Sequence, residues 1–326
     1  MKEDQKNQAL KAEAEAYDSR ALEREANGFI PDLQKIKRNE YFYKSFWRDP
    51  VFADLYIGEM LRQYLKYIEN FSNPSSRILD LGCGQGYFSL ELARRGFKVV
   101  GVDISSQSIE IAKKTALSAK IDPELLRYEV MDVDAIDQLG CFDIVLCSGV
   151  LHHFEDIKQA LSKIKMVLEK NNGILISHEP QHDYFKTRDA SFVAAIRQLL
   201  AILGFWYEDK IAISDIETFE SFSKDIHSEY VLERDASESA QSPNDLEHDR
   251  DDILPIVKND FDILDIYQSS SFIYRLIGGL RHPEIKKEHE LAKFLAIVDR
   301  ALVNNGALAA NYFYFCARVN SLEDPL

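Results

Sequence analysis

Cysteine is scarce in this chain of 326 residues: Cys83, Cys141, Cys147 and Cys316 are the only four, and none forms a CxxC pair or a cluster. Thiols so scattered exclude a disulfide framework and a cysteine-built metal site, and they fit the small apolar residues of a reduced, cytoplasmic protein. Glycine (14) and proline (9) are sparse, while 46% of residues are hydrophobic and 11% aromatic, which excludes a low-complexity or disordered chain. No apolar run approaches the roughly 20 residues of a membrane-spanning helix. Met1–Arg24 lacks the apolar stretch of a secretory signal. The expectation is a soluble protein with no membrane partner. Positive charge is in deficit, with 39 Lys and Arg against 54 Asp and Glu and a net charge of −15. A surface of that sign repels phosphate backbones, so no nucleic-acid partner is expected.

The length exceeds the roughly 100–200 residues of one ordinary domain, so an α/β core with helical additions is expected. Residues 1–70 read as an N-terminal helical cap. Lys2 to Ala26 is rich in Ala, Glu, Lys and Arg, a solvated or partner-binding helix that Asn27-Gly28 stops. An aromatic-rich helical region then carries Tyr41, Phe42, Tyr43, Phe46, Trp47, Phe52, Tyr56, Tyr64 and Tyr67, rings that must be buried somewhere. Residues 71–180 alternate β-branched runs with helical patterns, the sign of a parallel sheet covered on both faces. Strands are expected at 77–81, 98–103, 127–131, 142–148 and 173–178, with helices near 86–94, 106–119 and 158–168. Residues 181–258 form an insertion. It holds a helix at 190–204, then an acidic segment from Asp215 to Asp252 with thirteen acids against Lys224, Arg234 and Arg250. The stretch 233–251 reads as a mobile loop and the insertion as a substrate lid. Residues 259–326 return to strands at 261–268 and 312–319 around a helix at 284–303.

The chemistry concentrates at strand ends. Asp80-Leu81-Gly82-Cys83-Gly84-Gln85-Gly86 closes the first strand and opens a helix, a turn whose glycines let a ligand approach the backbone. A dinucleotide fingerprint requires a third glycine three positions after the second. Here position 87 is Tyr, and an acid precedes the first glycine. Asp103 ends the second strand, 21 residues after Gly82, at the distance where a carboxylate can accept ribose hydroxyls. An acid there also occurs in nicotinamide-binding proteins, so an oxidoreductase stays open at this point.

The sequence Asp80–Gly86, followed by Asp103, by Met131-Asp132-Val133-Asp134 and by Phe142–Ser148 leading into Leu151-His152-His153, resembles the class I S-adenosylmethionine-dependent methyltransferases. The resemblance implies a Rossmann-like, seven-stranded, mostly parallel sheet with helices on both faces. It also implies methyl transfer from S-adenosylmethionine, with S-adenosylhomocysteine as product. Carried onto this sequence, Asp80, Gly82, Gly84 and Gly86 hold the methionine part. Asp103 accepts the ribose hydroxyls, Ile104 presses on the adenine, and Asp132 faces the adenine amino group, with Asp134 a competing choice. Val133 offers a backbone contact and Ser148 its carbonyl to the ammonium.

Methyl transfer to oxygen gains from a base near the acceptor, whereas a carboxylate acceptor needs none. Ligands of open α/β sheets bind at the carboxyl ends of the strands, where His152-His153 and His178-Glu179-Pro180-Gln181-His182 stand. His178, Glu179 and His153 are the catalytic candidates. Capping or packing beneath the cofactor is the competing role for the His152-His153 pair. Spacing alone leaves a His178, Glu179 and His182 metal site open, but one loop cluster rarely completes such a site, so no metal is expected. The Tyr41–Asp49 segment is placed to supply rings or a guanidinium to an acceptor pocket; the competing reading is that its rings only join the N-terminal helices to the sheet and that Arg48-Asp49 is an ion pair. The expected partner is a small molecule accepting the methyl on oxygen; a protein substrate drawn to the acidic segment, or a non-catalytic subunit, are the alternatives.

Overall fold

Consecutive apolar runs too short for buried helices make strands that are hydrophobic on both faces, and such strands need helices on either side. A computed structural model of the chain describes residues 2–73, 75–168, 172–231, 248 and 250–320. Its sheet contains β1 (Arg77–Leu81), β2 (Lys98–Asp103), β3 (Leu126–Val130), β4 (Ile144–Ser148), β5 (Ile174–Pro180), β6 (Phe261–Gln268) and β7 (Tyr312–Val319) in the order β3-β2-β1-β4-β5-β7-β6. The first five run parallel, and β7 is antiparallel to both β5 and β6. The strand order reverses between β1 and β4, the crevice where open α/β sheets bind ligands. The expected Rossmann-like sheet is present, with β3 starting and ending one residue earlier than its apolar pattern suggested.

The covering helices are α1 (Lys2–Ala26), α2 (Pro50–Ala53), α3 (Glu59–Phe71), α4 (Tyr87–Ala93), α5 (Ser106–Ser118), α6 (Ile157–Leu168), α7 (Thr187–Ile202), α8 (Ile216–Val231), α9 (Arg250–Asp260), α10 (Ile273–Leu276) and α11 (Ile285–Asn304). One apolar cluster joins α3 and α4 to one sheet face, a second joins α6 and α9 to the other, and a third packs α7, α8, α10 and α11 together. Among the described residues no helix is long and apolar enough to cross a membrane.

The helix α1 is not the solvated rod expected of its composition. Glu13 and Ala21 are buried. Asp18 accepts hydrogen bonds from Ser105 Oγ (2.6 Å) and Gln107 N (3.0 Å) at the start of α5, and Ala21 O accepts one from Gln85 Nε2 (3.3 Å). Its inward face is polar because the space it covers is polar, so an apolar stripe could not announce it. The Tyr41–Asp49 segment is not continuous helix either, but two short 3-10 turns, Glu40–Phe42 and Phe46–Arg48. Trp47, Phe52, Tyr64 and Tyr67 are buried as anticipated, whereas Tyr41 and Tyr43 stay exposed. A single wide turn, Asp54–Gly58, links α2 to α3 and sets Tyr56 and Ile57 on a cavity wall. The acidic insertion is partly regular, since α8 and α9 occupy its two ends; most of the loop expected at 233–251 lies outside the described residues.

Candidate active site

The turn after β1 needs positive φ, and Gly82, Gly84 and Gly86 adopt +69°, +52° and +81°. These three glycines differ in what surrounds them. A Cβ on Gly82 would stand 2.4 Å from Val150 Cγ2, and one on Gly86 2.4 Å from the Tyr128 hydroxyl; one on Gly84 would meet nothing within 4 Å. The loop is therefore clamped at both ends by neighbours and open in the middle, where Gly82 and Gly84 border a cavity of about 620 Å³. That volume suits a drug-sized ligand.

Each strand end adds a side chain to this cavity. Asp103 accepts Gly84 N–H on one oxygen and Ser105 N–H on the other, both at 2.8 Å. A carboxylate has about four acceptor positions, so one on each oxygen stays available to a pair of hydroxyls. Burial pushes the Asp103 carboxyl above its ordinary value. Asp132 also lines the cavity, with Met131 and Val133, while its carboxylate caps the next turn through Asp134 N–H (2.7 Å). The competing Asp134 turns outward to Gln159 Nε2 (2.8 Å). Ile104 and Ser148 are on the wall as well, and the Ser148 hydroxyl shares a 2.7 Å hydrogen bond with the buried Tyr64 hydroxyl.

Two expected contacts lie elsewhere. Asp80 is buried beneath the loop, where it accepts a hydrogen bond from Ser89 of α4, and it does not border the cavity. The alternation of β1 turns its side chain toward the covering helix. Burial raises its carboxyl to about 7. Gly86 likewise stands behind the wall, against Tyr128, whose hydroxyl donates to Gly86 O at 2.9 Å.

The catalytic candidates separate in the same way. Glu179 is fully buried and is not on the cavity wall. It accepts hydrogen bonds from Val150, Leu151 and His152 N–H, from Ser177 Oγ (2.7 Å), and pairs with His152 Nδ1 at 2.6 Å. Although burial opposes it, the pairing with His152 and these donors hold its carboxyl below the ordinary value. So saturated, Glu179 anchors the turn after β4 and does not reach the cavity where a base is expected. His153 lines the cavity and is bound to α1 through Glu13 Oε1 (3.2 Å) and the Tyr17 hydroxyl (3.0 Å). His178 lines it from β5, stacked 5.0 Å from Tyr312 at 14° and 4.4 Å from Tyr314. Its Nε2 is buried without a hydrogen-bond partner. Burial drops its pKa to about 3, so the ring is neutral at physiological pH.

Other wall residues come from α1, from the Tyr41–Asp49 segment, from the insertion and from α10. Tyr17 and Arg24 reach the cavity from α1, and at the far end stand Lys44, Arg197, Trp206, Tyr207, Glu229 and Arg275. Arg197 and Glu229 form a bidentate pair across 32 positions of chain, at 2.5 and 2.6 Å. Arg48, for which a guanidinium facing an acceptor is one of two readings, is wholly buried on Glu288, Gly278 O and Leu280 O.

Residues 72–226 match the family described as "Methyltransferase domain". The chain is similar to the ubiquinone biosynthesis O-methyltransferase of Actinobacillus pleuropneumoniae, with 28% identity over 186 residues, covering 55% of this chain and 73% of the relative. To the protein of the same name from Idiomarina loihiensis it is 33% identical over 139 residues, 41% and 55% of the two chains. Among solved structures, magnesium protoporphyrin IX methyltransferase from Synechocystis aligns with 16% identity and a TM-score of 0.46, over 83% of this chain and 87% of that one.

Proposed function

We propose, from the premise that this chain belongs to the S-adenosylmethionine-dependent methyltransferases, that it methylates an oxygen atom of a small molecule. One observation carries the reading: a single cavity joins Gly84 and Asp103 at the switch point of the sheet to a neutral, buried His178 on β5. The relatives' name, O-methyltransferase, agrees with it.

When bound, S-adenosylmethionine supplies a methyl group on a sulfonium, an electrophile that needs an aligned nucleophile and little else. The chain's residues provide the alignment. Asp103 would hold two hydroxyls through its open acceptor positions, and Ile104, Met131 and Val133 would flank a planar base, with Asp132 toward its polar groups. Ser148 O and the loop amides would receive the amino-acid end, and Arg24 of α1 would offer its carboxylate a guanidinium. Asp80 acts from beneath, fixing the loop through Ser89. The helix α1, tied to His153 and to the start of α5, excludes water.

His178 Nε2 would take the proton of the acceptor hydroxyl as the oxygen attacks the methyl carbon: the O–H bond breaks as an N–H bond forms, the O–C bond forms as the C–S bond breaks with its electron pair left on sulfur, and the imidazolium returns the proton to solvent. Desolvation makes the resting ring a weak base, and an acceptor hydroxyl within hydrogen-bond reach would supply the partner that Nε2 lacks. The test is incubation of the protein with methyl-labelled S-adenosylmethionine and a small-molecule extract, with the labelled product identified by mass spectrometry. A label on oxygen is expected; a label found only on protein would overturn the reading. His178→Ala should leave S-adenosylhomocysteine affinity intact and lower turnover about 10²–10⁴-fold. Unchanged turnover would remove His178 as the base.

A further inference from the structure

Of residues 8–26 in α1 only Glu13 and Ala21 are buried, so little apolar burial holds this helix down. What holds it is a row of polar contacts across three strand ends. After β1, Gln85 Nε2 of the glycine loop donates to Ala21 O; after β2, Ser105 Oγ and Gln107 N–H donate to Asp18; after β4, His153 meets Glu13 Oε1 and the Tyr17 hydroxyl. Leu10, Glu13, Tyr17 and Arg24, on one face of the helix, line the cavity. Hydrogen bonds that water can replace contribute little each, and a segment with few buried apolar contacts belongs to the low-stability end of a fold. Firm anchorage begins only beyond α1, where Phe29 is buried and Asp32 takes both terminal nitrogens of Arg94 at 2.7 Å. Between helix and anchor stand Asn27 and Gly28, the latter with φ +81°, a pivot.

Arg24 is the exception in this row. Its guanidinium lines the cavity and lies over the Phe29 ring at 5.9 Å, yet none of the described residues accepts a hydrogen bond from it or stands at ion-pair distance. Burial pushes it below its ordinary value, and Tyr87, which follows the glycine loop, acts on its charge. Helical side chains lean toward the N-terminus, so Arg24 leans over Ala21 toward the loop on which Ala21 rests. A desolvated cation without an acceptor is costly until a ligand brings one. We propose that α1 is a lid closed by the bound cofactor, with Arg24 reading the carboxylate of the cofactor's amino-acid end. This rests on the methyl-transfer reading above and adds the regulation of the same site. With the site filled, the carboxylate supplies the acceptor that Arg24 lacks and completes the row made by Glu13, Tyr17, Asp18 and Ala21. With the site empty, α1 opens about Asn27-Gly28 and the cofactor exchanges. A ligand shifts such an equilibrium only through its differential affinity for the two states, and an open lid, which withdraws Arg24, provides that difference.

The test uses the full chain with S-adenosylhomocysteine and with its carboxamide, in which a neutral amide group replaces the carboxylate. Calorimetry reads the two affinities, and hydrogen exchange followed by mass spectrometry reads protection of the residue 8–26 amides with each ligand at saturation. S-adenosylhomocysteine should bind about tenfold or more tighter than the carboxamide and slow exchange over 8–26 about tenfold or more, whereas the carboxamide should slow it less than about threefold. In Arg24→Gln the preference should shrink below about threefold and the protection should disappear, and Arg24→Lys should restore part of both. Equal protection by the two ligands, protection by neither, or a preference unchanged in Arg24→Gln would each overturn the proposal. Tight binding of S-adenosylhomocysteine without protection would refute the lid and leave the methyl-transfer reading standing, whereas failure of the wild type to bind either ligand would refute that reading and the lid with it.

Discussion

Gly82 and Gly84 sit two residues apart with similar backbone angles, yet alanine should harm the protein through different routes. At either position the left-handed conformation costs an L-residue about 1–2 kcal/mol. At Gly84 nothing more is added, because the new methyl meets open space. At Gly82 the methyl falls 2.4 and 2.9 Å from the two Val150 methyls, and Val150 cannot swing aside freely, since its N–H and those of the next two residues are anchored on Glu179. Overpacking of that kind adds about 1–3 kcal/mol. Urea unfolding should therefore place Gly82→Ala about 2–5 kcal/mol below wild type and Gly84→Ala only about 1–2 kcal/mol below. Calorimetry with S-adenosylhomocysteine should reverse the order of interest: Gly84→Ala, with its methyl in the cavity, should lose about tenfold or more in affinity while still folded. If Gly84→Ala bound like wild type, the loop would not be the cofactor floor. If Gly82→Ala unfolded with wild-type stability, the clamp formed by Val150 and Glu179 would be wrong.

Asp103→Asn keeps size and shape but removes the charge that favours two hydroxyl donors, and should weaken S-adenosylhomocysteine binding by about 10–100-fold, read by the same calorimetry; a change under twofold would contradict the ribose assignment. Two buried groups give opposite pH signatures. Asp80 is raised from 3.8 to about 7, so the stability it contributes is complete below pH 4 and lost as pH rises through 7. His178 is lowered from 6.5 to about 3, so its contribution is complete above pH 6.5 and lost as pH falls toward 3. Each spans on the order of 4 kcal/mol. The stability difference between Asp80→Asn and wild type should accordingly climb from pH 4 to pH 8, while that for His178→Phe should climb as pH drops from 7 to 4; parallel or flat curves would mean that these groups are not desolvated.

Most of the sheet could be read from the chain because its strands are short, apolar and bounded by turns, and because chemistry sits at their carboxyl ends. Asp103, Ile104, Asp132, Val133 and Ser148 fall on one cavity as their strand positions required. What escaped were residues whose role depends on which way a side chain turns or on distant partners. Asp80 and Glu179 carry the right charge at the right strand ends, yet strand alternation and a ring of N–H donors keep both off the cavity wall. The far wall is built by α7, α8 and the segment around α10, which meet only in three dimensions, so no spacing could have joined Arg197 to Glu229 or either to Lys44. The polar inward face of α1 imitates a solvated helix, and only the polar cavity beneath it explains why Glu13 is buried.

The central claim is that the cavity at the β1 and β4 switch point receives S-adenosylmethionine. Side-by-side calorimetric titration of the full chain with S-adenosylhomocysteine and with NADH tests it most directly. Saturable binding of S-adenosylhomocysteine near one equivalent, with no binding of NADH, is the predicted result, and tight binding of NADH alone would contradict it.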